Sequence, residues 1–205
     1  MIERFNYRSN RDIDLGGEPI NGQGTGSVSV CRYGLFPMSY NGCEIIAVYN
    51  LRLLLGTPRP LCDIAREIYP YGCLVFGVFG THPYALKRYF NSNGLPVHMI
   101  KDYYMFRKVF AGKRYGILSF WNDTTVFKGL HTVCVENTPE GLKVYNRSNK
   151  KTEPVIYNSI DDTWISADLS ADTMLIDNSD RRISVGFLNF DRIFTLSFDR
   201  VSFTS

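Results

Sequence analysis

The chain has 205 residues, of which 44% are hydrophobic and 21% are charged. This length fits one compact domain, and 14 Phe, 13 Tyr and 2 Trp provide enough apolar surface for a folded core, which excludes general disorder. The net charge is only +3, and the 23 Lys and Arg residues are scattered along the chain. We therefore expect no nucleic-acid partner.

The beginning of the chain, Met1-Ile2-Glu3-Arg4-Phe5, mixes charged and apolar residues, and no apolar run has the length of a signal peptide or a membrane span. We expect a cytosolic protein with no membrane partner. The cysteines are odd in number and lack the paired spacing of metal ligands: Cys31, Cys43, Cys62, Cys73 and Cys134. This pattern predicts no disulfide framework and no metal site, and we expect no cofactor.

The first half of the chain predicts an arm followed by helices. Residues 1–38 are rich in Gly, Asn and Ser without apolar periodicity, which predicts a loop or extended arm. Residues 43–55 are apolar on nearly every side of a helix, so this helix is predicted to be central to the fold and to end at Gly56. Further helices are predicted at 61–68, at 81–94 with Thr81 as N-cap, and at 102–110.

The second half predicts strands. Short apolar runs indicate strands at 115–121, 129–136 and 141–145, with a hairpin turn over 138–141, and later at 174–176, 183–190 and 193–203. Helices followed by strands predict an α+β domain. We divide it into an N-terminal arm at 1–38, a core at 39–154 and a strand-rich extension of the same domain at 155–205.

Cys43 lies where the predicted loop becomes the apolar helix, in the segment Tyr40-Asn41-Gly42-Cys43-Glu44. Unpaired N–H groups and the positive end of the helix dipole favour a thiolate at this position, which makes the sulfur a candidate nucleophile. A catalytic thiol also needs a base from another element. The alternative interpretation of Cys43 is a small buried core residue.

His131 is the candidate base because it begins a predicted apolar strand, and Asn146 follows the next strand, where a side chain can orient an imidazole ring. Cys, His and Asn in this order are the set found in thiol enzymes that pair a thiolate with an imidazolium. His131 could equally be a core histidine, and Asn146 is in any case a natural turn residue.

Parts of the sequence resemble the papain-like cysteine peptidases, in particular the compact bacterial branch that includes the peptidases trimming double-glycine leader peptides. The matching segments span roughly residues 38–150: Asn41-Gly42-Cys43-Glu44-Ile45-Ile46-Ala47, Tyr49-Asn50, Leu53, Phe79-Gly80-Thr81, Tyr89-Phe90, Gly94-Leu95, Gly129-Leu130-His131-Thr132-Val133 and Gly141-Leu142-Lys143-Val144-Tyr145-Asn146. The resemblance implies a papain-like fold, in which the helix that carries the nucleophile packs on a C-terminal antiparallel sheet.

The resemblance also implies roles for individual residues. Cys43 would be the nucleophile, His131 the general base and Asn146 the residue that orients the ring. The Cys43 backbone N–H would stabilise the oxyanion, with Asn41 and Gly42 in the oxyanion and substrate-binding region. The family usually has a Gln shortly before the cysteine, but this chain has Pro37 there. Asn41, or an arm that folds the sole glutamine, Gln23, back to the site, would have to donate instead.

Three functions are compatible with these residues. The leading interpretation is a thiol peptidase that forms an acyl-enzyme on Cys43 and hydrolyses a peptide or amide bond. An acyltransferase would use the same three residues and the same intermediate with an amine as acceptor. A catalytically inactive papain-like domain used for binding is the third. The expected partner of either enzyme is a peptide or acyl substrate.

Overall fold

The computed structural model describes residues 1–95, 97–100, 103–121, 130–158, 173–177 and 182–184. Within these residues most helices precede most strands of a mainly antiparallel sheet, so the predicted α+β class is confirmed. The strand predicted at 193–203 and the end of the one predicted at 183–190 lie outside the described residues. Among the helices in the described part, none has the length and apolar character needed to span a membrane.

The α-helices of the described residues are Ile2–Asn10 (α1), Met38–Asn41 (α2), Cys43–Leu54 (α3), Leu61–Gly72 (α4), Tyr84–Ser92 (α5) and Tyr103–Phe110 (α6). α3 and α6 agree with their predicted ranges to within a residue, whereas α4 continues about one turn further than predicted and contains Pro70. Gly56 follows α3 with a φ of +68°, as expected for a glycine that ends a helix.

The prediction of a loop over the whole N-terminal arm is wrong, because the beginning of the arm forms helix α1. Buried asparagines attach this helix to a short hairpin of strands Arg32–Tyr33 (β1) and Phe36–Pro37 (β2). Asn6 Nδ2 donates to the Gly34 carbonyl at 2.8 Å, and Asn10 Nδ2 donates to the Arg32 carbonyl at 2.8 Å. Helix α1 also packs against α4, so it is held by contacts with distant segments that its own sequence does not reveal.

Helix α5 begins later than the sequence predicts. The sequence predicts Thr81 as the N-cap, but Thr81 pairs with Cys73 in an isolated β-bridge. His82 instead satisfies an N–H of the first turn, since its Nδ1 accepts a hydrogen bond from the Tyr84 N–H at 3.2 Å.

The main sheet has the strand order β3-β9-β8-β4-β5-β6-β7 in the described residues. Its strands are Val97–Ile100 (β3), Tyr115–Trp121 (β4), Leu130–Thr138 (β5), Gly141–Tyr145 (β6), Val155–Tyr157 (β7), Thr173–Asp177 (β8) and Arg182–Ser184 (β9). Neighbouring strands are antiparallel except β3 and β9. The strands predicted near β4, β5 and β6 are confirmed, and β8 pairs directly with β4.

Helix α3 packs on one face of this sheet, against β4 and β5. On β5, Cys134 belongs to the same apolar core as α3, whereas Val133 and Val135 pack on the other face with Phe110 of α6. Because alternate residues of a strand share a face, Thr132 lies on the α3 face together with Cys134.

Gly34 allows the β1–β2 hairpin to approach the loop that contains Phe76. Its φ is +63°, and an added Cβ would overlap the Phe76 carbonyl oxygen, to which the Leu35 N–H donates at 2.8 Å. We expect Gly34→Ala to lower the free energy of unfolding by about 3 kcal/mol, because it combines a positive φ with overpacking.

Gly56→Ala is the matched control, since Gly56 has a φ of +68° with no atom within 4 Å of an added Cβ. We expect it to lower the free energy of unfolding by about 1 kcal/mol, from backbone strain alone. Urea unfolding followed by circular dichroism measures both. Equal losses in the two variants would show that the contact at Gly34 does not contribute.

Candidate active site

Cys43 is the first residue of α3 and lies beside the start of β5. Its Sγ is 3.9 Å from the Leu130 carbonyl oxygen, so the thiol contacts the residue directly before His131. The approach of α2 to α3 is tight at Gly42, where an added Cβ would lie 2.6 Å from Met38 Cβ. Cys43 is 6% exposed. The elements that carry the predicted nucleophile and base therefore meet at a buried point of the fold.

The thiol is hydrogen-bonded to the neighbouring carboxyl group. Cys43 Sγ donates to Glu44 Oε2 at 3.1 Å, and Thr132 Oγ1 donates to the other oxygen, Oε1, at 3.4 Å. The Thr132 hydroxyl is in turn 2.9 Å from the Ser119 hydroxyl on β4. Glu44, Thr132 and Ser119 are all buried. These side chains form a polar cluster between the start of α3 and the sheet.

The pKa values of Cys43 and Glu44 are both raised in this cluster. Burial raises the pKa of the Glu44 carboxyl to about 7. Burial, followed by the charge of Glu44, raises the pKa of the Cys43 thiol well above its ordinary value. The thiol is therefore protonated at neutral pH in this structure.

His131 is held through one ring nitrogen. Its Nε2 is 2.7 Å from the Asn146 carbonyl oxygen. A carbonyl oxygen only accepts hydrogen bonds, which assigns the ring hydrogen to Nε2 and the lone pair to Nδ1. Burial lowers the pKa of His131 to about 4, so the ring is neutral at neutral pH. The sequence predicts a thiolate–imidazolium pair, whereas burial of the two groups favours the neutral thiol and the neutral imidazole.

Asn146 contacts the His131 ring through its backbone, not through the side-chain amide that the sequence analysis expects. The amide instead pairs with Gln23: Asn146 Nδ2 donates to Gln23 Oε1 at 2.9 Å, and the Gln23 N–H donates to Asn146 Oδ1 at 3.1 Å. Asn146 has a φ of +57°, a conformation that asparagine adopts more readily than most residues. The orienting group is therefore the Asn146 carbonyl, and Gln23 fixes the residue that carries it.

The N-terminal arm does fold Gln23 back, which is one of the two possibilities that the sequence left open. Gln23 is buried, and its Nε2 donates to the Ser39 carbonyl of α2 at 3.2 Å. Asn149 Nδ2 donates to the same carbonyl at 3.0 Å. Gln23 thereby joins Asn146 to the short helix that leads into Cys43.

Asn41, the other possible oxyanion donor, has a structural role instead. Its Nδ2 donates to the Tyr33 and Gly77 carbonyl oxygens, each at 2.9 Å, which uses both amide hydrogens. The Gly42 N–H donates to the Met38 carbonyl at 2.9 Å. The Asn41 amide therefore joins the β1–β2 hairpin to the loop at Gly77, and the Gly42 N–H closes α2.

Two members of the cluster were not identifiable as site residues from the sequence. Thr132 carries a weak signal, because it is two positions before Cys134 and so lies on the same face of an alternating strand. Ser119 reaches the cluster only through the β4–β5 register, in which it is paired with Thr132. That register is a property of the sheet, and no local sequence pattern predicts it.

The comparison with known proteins assigns no family to this chain. No protein-family model and no curated protein matches its sequence. The function must therefore be inferred from the residues of the site and their chemistry.

Proposed function

We propose that the protein is a papain-like thiol enzyme that forms an acyl-enzyme on Cys43 and hydrolyses a peptide or amide bond. The main support is the contact between the start of α3 and β5, where Cys43 Sγ lies 3.9 Å from the carbonyl oxygen of the residue preceding His131. The hydrogen bond from His131 Nε2 to the Asn146 carbonyl leaves the lone pair on Nδ1, as a proton acceptor requires.

In the first step, the thiol proton passes to His131 Nδ1 and the sulfur attacks the carbonyl carbon of the substrate. An S–C bond forms, the C–N bond breaks, and the imidazolium gives its proton to the leaving amine. In the second step, His131 takes a proton from water as the oxygen attacks the thioester. The S–C bond then breaks, the acid is released, and the proton returns to sulfur. The Cys43 backbone N–H would stabilise the oxyanion in both steps.

A papain-like domain that binds without catalysis is the second candidate, because specific observations favour it. Cys43 is buried, and its pKa is raised rather than lowered. A catalytic cysteine more often has a lowered thiol pKa. In such a domain Cys43 and His131 would keep the packing of the fold without exchanging a proton.

Acetyl transfer from 4-nitrophenyl acetate tests the proposal without knowledge of the natural substrate. We expect the wild-type protein to carry an acetyl group on the peptide containing Cys43, detected by mass spectrometry, and Cys43→Ala to lose that modification. The other four cysteines provide the internal control. If Cys43 is acetylated no faster than these thiols in the folded protein, the proposal is wrong and the binding domain is favoured.

The fate of the acetyl group separates hydrolysis from acyl transfer to an amine. We expect release of acetate from the acetylated wild-type protein, even when glycinamide is added as an acceptor. Formation of acetylglycinamide as the main product would instead indicate the acyltransferase. Hydroxylamine, which cleaves thioesters chemically, serves as the control for recovery of the free thiol.

A further inference from the structure

Glu44 is a buried carboxyl group that the proposed acyl transfer does not use. It is 3% exposed, and its oxygens accept from Cys43 at 3.1 Å and from Thr132 at 3.4 Å. Gly80 closes another side, since a Cβ added there would lie 3.7 Å from Glu44 Oε2. Burial of a carboxylate lowers the stability of the fold unless the carboxylate is hydrogen-bonded. Here one of its hydrogen-bond donors is the candidate nucleophile.

We infer that Glu44 regulates the nucleophile: its ionised carboxylate holds Cys43 in the protonated thiol form. The thiol is the donor of the hydrogen bond between them, and a thiolate in its place would put two negative charges 3.1 Å apart in a buried site. Protonation of Glu44 removes this repulsion and provides an O–H that can donate to the thiolate. The inference that Glu44 regulates an enzyme rests on the proposed function. The effect of Glu44 on the ionisation of Cys43 does not depend on that function.

Within the described residues, two other titratable groups near Glu44, Tyr33 and His131, do not change charge in the same pH range. Tyr33 of β1 faces Glu44, and burial, together with the nearby Cys73 and Glu44, raises the pKa of its phenol far above neutrality. His131 follows Leu130 on β5, and burial lowers its pKa to about 4. Near the Glu44 pKa of about 7, therefore, neither Tyr33 nor His131 titrates.

The pair makes a distinctive prediction for thiol reactivity against pH. Below the pKa of Glu44, each rise in pH increases the fraction of molecules with a thiolate beside a protonated carboxyl. Above that pKa the total number of protons on the pair stays at one, so the thiolate fraction becomes constant until the second proton is lost. Replacing Glu44 with the neutral glutamine removes the plateau, and the thiolate fraction continues to rise.

Alkylation by iodoacetamide, followed on the Cys43 peptide by mass spectrometry, measures this fraction. We expect the wild-type and Glu44→Gln rates to coincide below about pH 7 and the variant to be about tenfold faster at about pH 8. Glu153→Gln, at an exposed glutamate, is the control and should follow the wild type. A Glu44→Gln rate at or below that of the wild type at the higher pH would overturn the inference.

Thr132→Val provides an independent test if Glu44→Gln fails to fold. Its hydroxyl donates to the Glu44 carboxylate and so favours the ionised form. Without this hydrogen bond, the pKa of Glu44 should rise and the plateau in Cys43 alkylation should begin at higher pH. An unchanged onset of the plateau would contradict the inference.

The two proposals can fail separately. If Cys43 does not accept acetyl from 4-nitrophenyl acetate but the alkylation profiles differ as expected, the enzyme proposal is wrong and the role of Glu44 stands. If Cys43 is acetylated but the profiles of wild type and Glu44→Gln coincide at every pH, only the role of Glu44 is overturned.

Discussion

His131→Gln is expected to slow acetyl transfer from 4-nitrophenyl acetate to Cys43 by about a thousandfold. A glutamine amide can replace His131 Nε2 as the donor to the Asn146 carbonyl, but it has no basic nitrogen to accept the thiol proton. The substitution therefore removes the proton transfer while preserving the hydrogen bond that orients the group. Release of 4-nitrophenolate under single-turnover conditions measures the rate.

His82→Gln is the control for this experiment. His82 accepts a hydrogen bond from the Tyr84 N–H at the start of α5, and the proposed proton transfer does not use it. We expect its acetylation rate to stay within about twofold of the wild type. Circular dichroism establishes that both variants are folded. A His131→Gln protein that is folded and retains the wild-type rate would rule out His131 as the base.

Glu44→Gln is expected to change how stability depends on pH, by about 3 kcal/mol between about pH 4.5 and about pH 7. Burial raises the pKa of Glu44 from 4.5 to about 7, so the folded state holds this proton more tightly than the unfolded state. The stabilisation from Glu44 protonation is therefore present at low pH and is lost as the pH rises through this window. Glutamine does not titrate, so the variant lacks that loss.

Urea unfolding at several pH values checks this prediction. The difference in the free energy of unfolding, Glu44→Gln minus wild type, should be more positive at about pH 8 than at about pH 4.5. His131 gives the opposite dependence, because burial lowers its pKa to about 4, but it is present in both proteins and cancels in the comparison. Glu153→Gln, at an exposed position, is the control for the substitution of a glutamate by glutamine. A constant difference for Glu44→Gln would contradict the prediction.

In the proposed reaction, attack by the Cys43 sulfur must be accompanied by transfer of the thiol proton. The Cys43 hydrogen is donated toward Glu44, and His131 is neutral with its lone pair on Nδ1. In the proposed reaction, the neutral imidazole accepts the thiol proton as the sulfur attacks. The reaction therefore does not need a thiolate–imidazolium pair before the substrate binds. Exclusion of water from the buried site would strengthen the electrostatic interactions that stabilise this step.

The sequence by itself determined the elements that have a strong local pattern. α3 could be predicted because nine of its twelve residues are apolar, and the glycine after it ends the helix. The hairpin of β5 and β6 could be predicted from two apolar runs on either side of a turn. The same local patterns made Cys43 and His131 candidates, since one begins the apolar helix and the other lies at the beginning of an apolar strand.

Only the tertiary structure decided the partners of the site residues. Asn41 uses its amide on the β1–β2 hairpin and the loop at Gly77, whereas Gln23 reaches Asn146, a residue 123 positions away in the sequence. The pKa values of Glu44 and His131 depend in the same way on burial by distant segments. Local sequence patterns reflect backbone conformation and the side of an element that is buried. Hydrogen-bond partners and desolvation depend on which distant segments pack together, and that is decided by the fold as a whole.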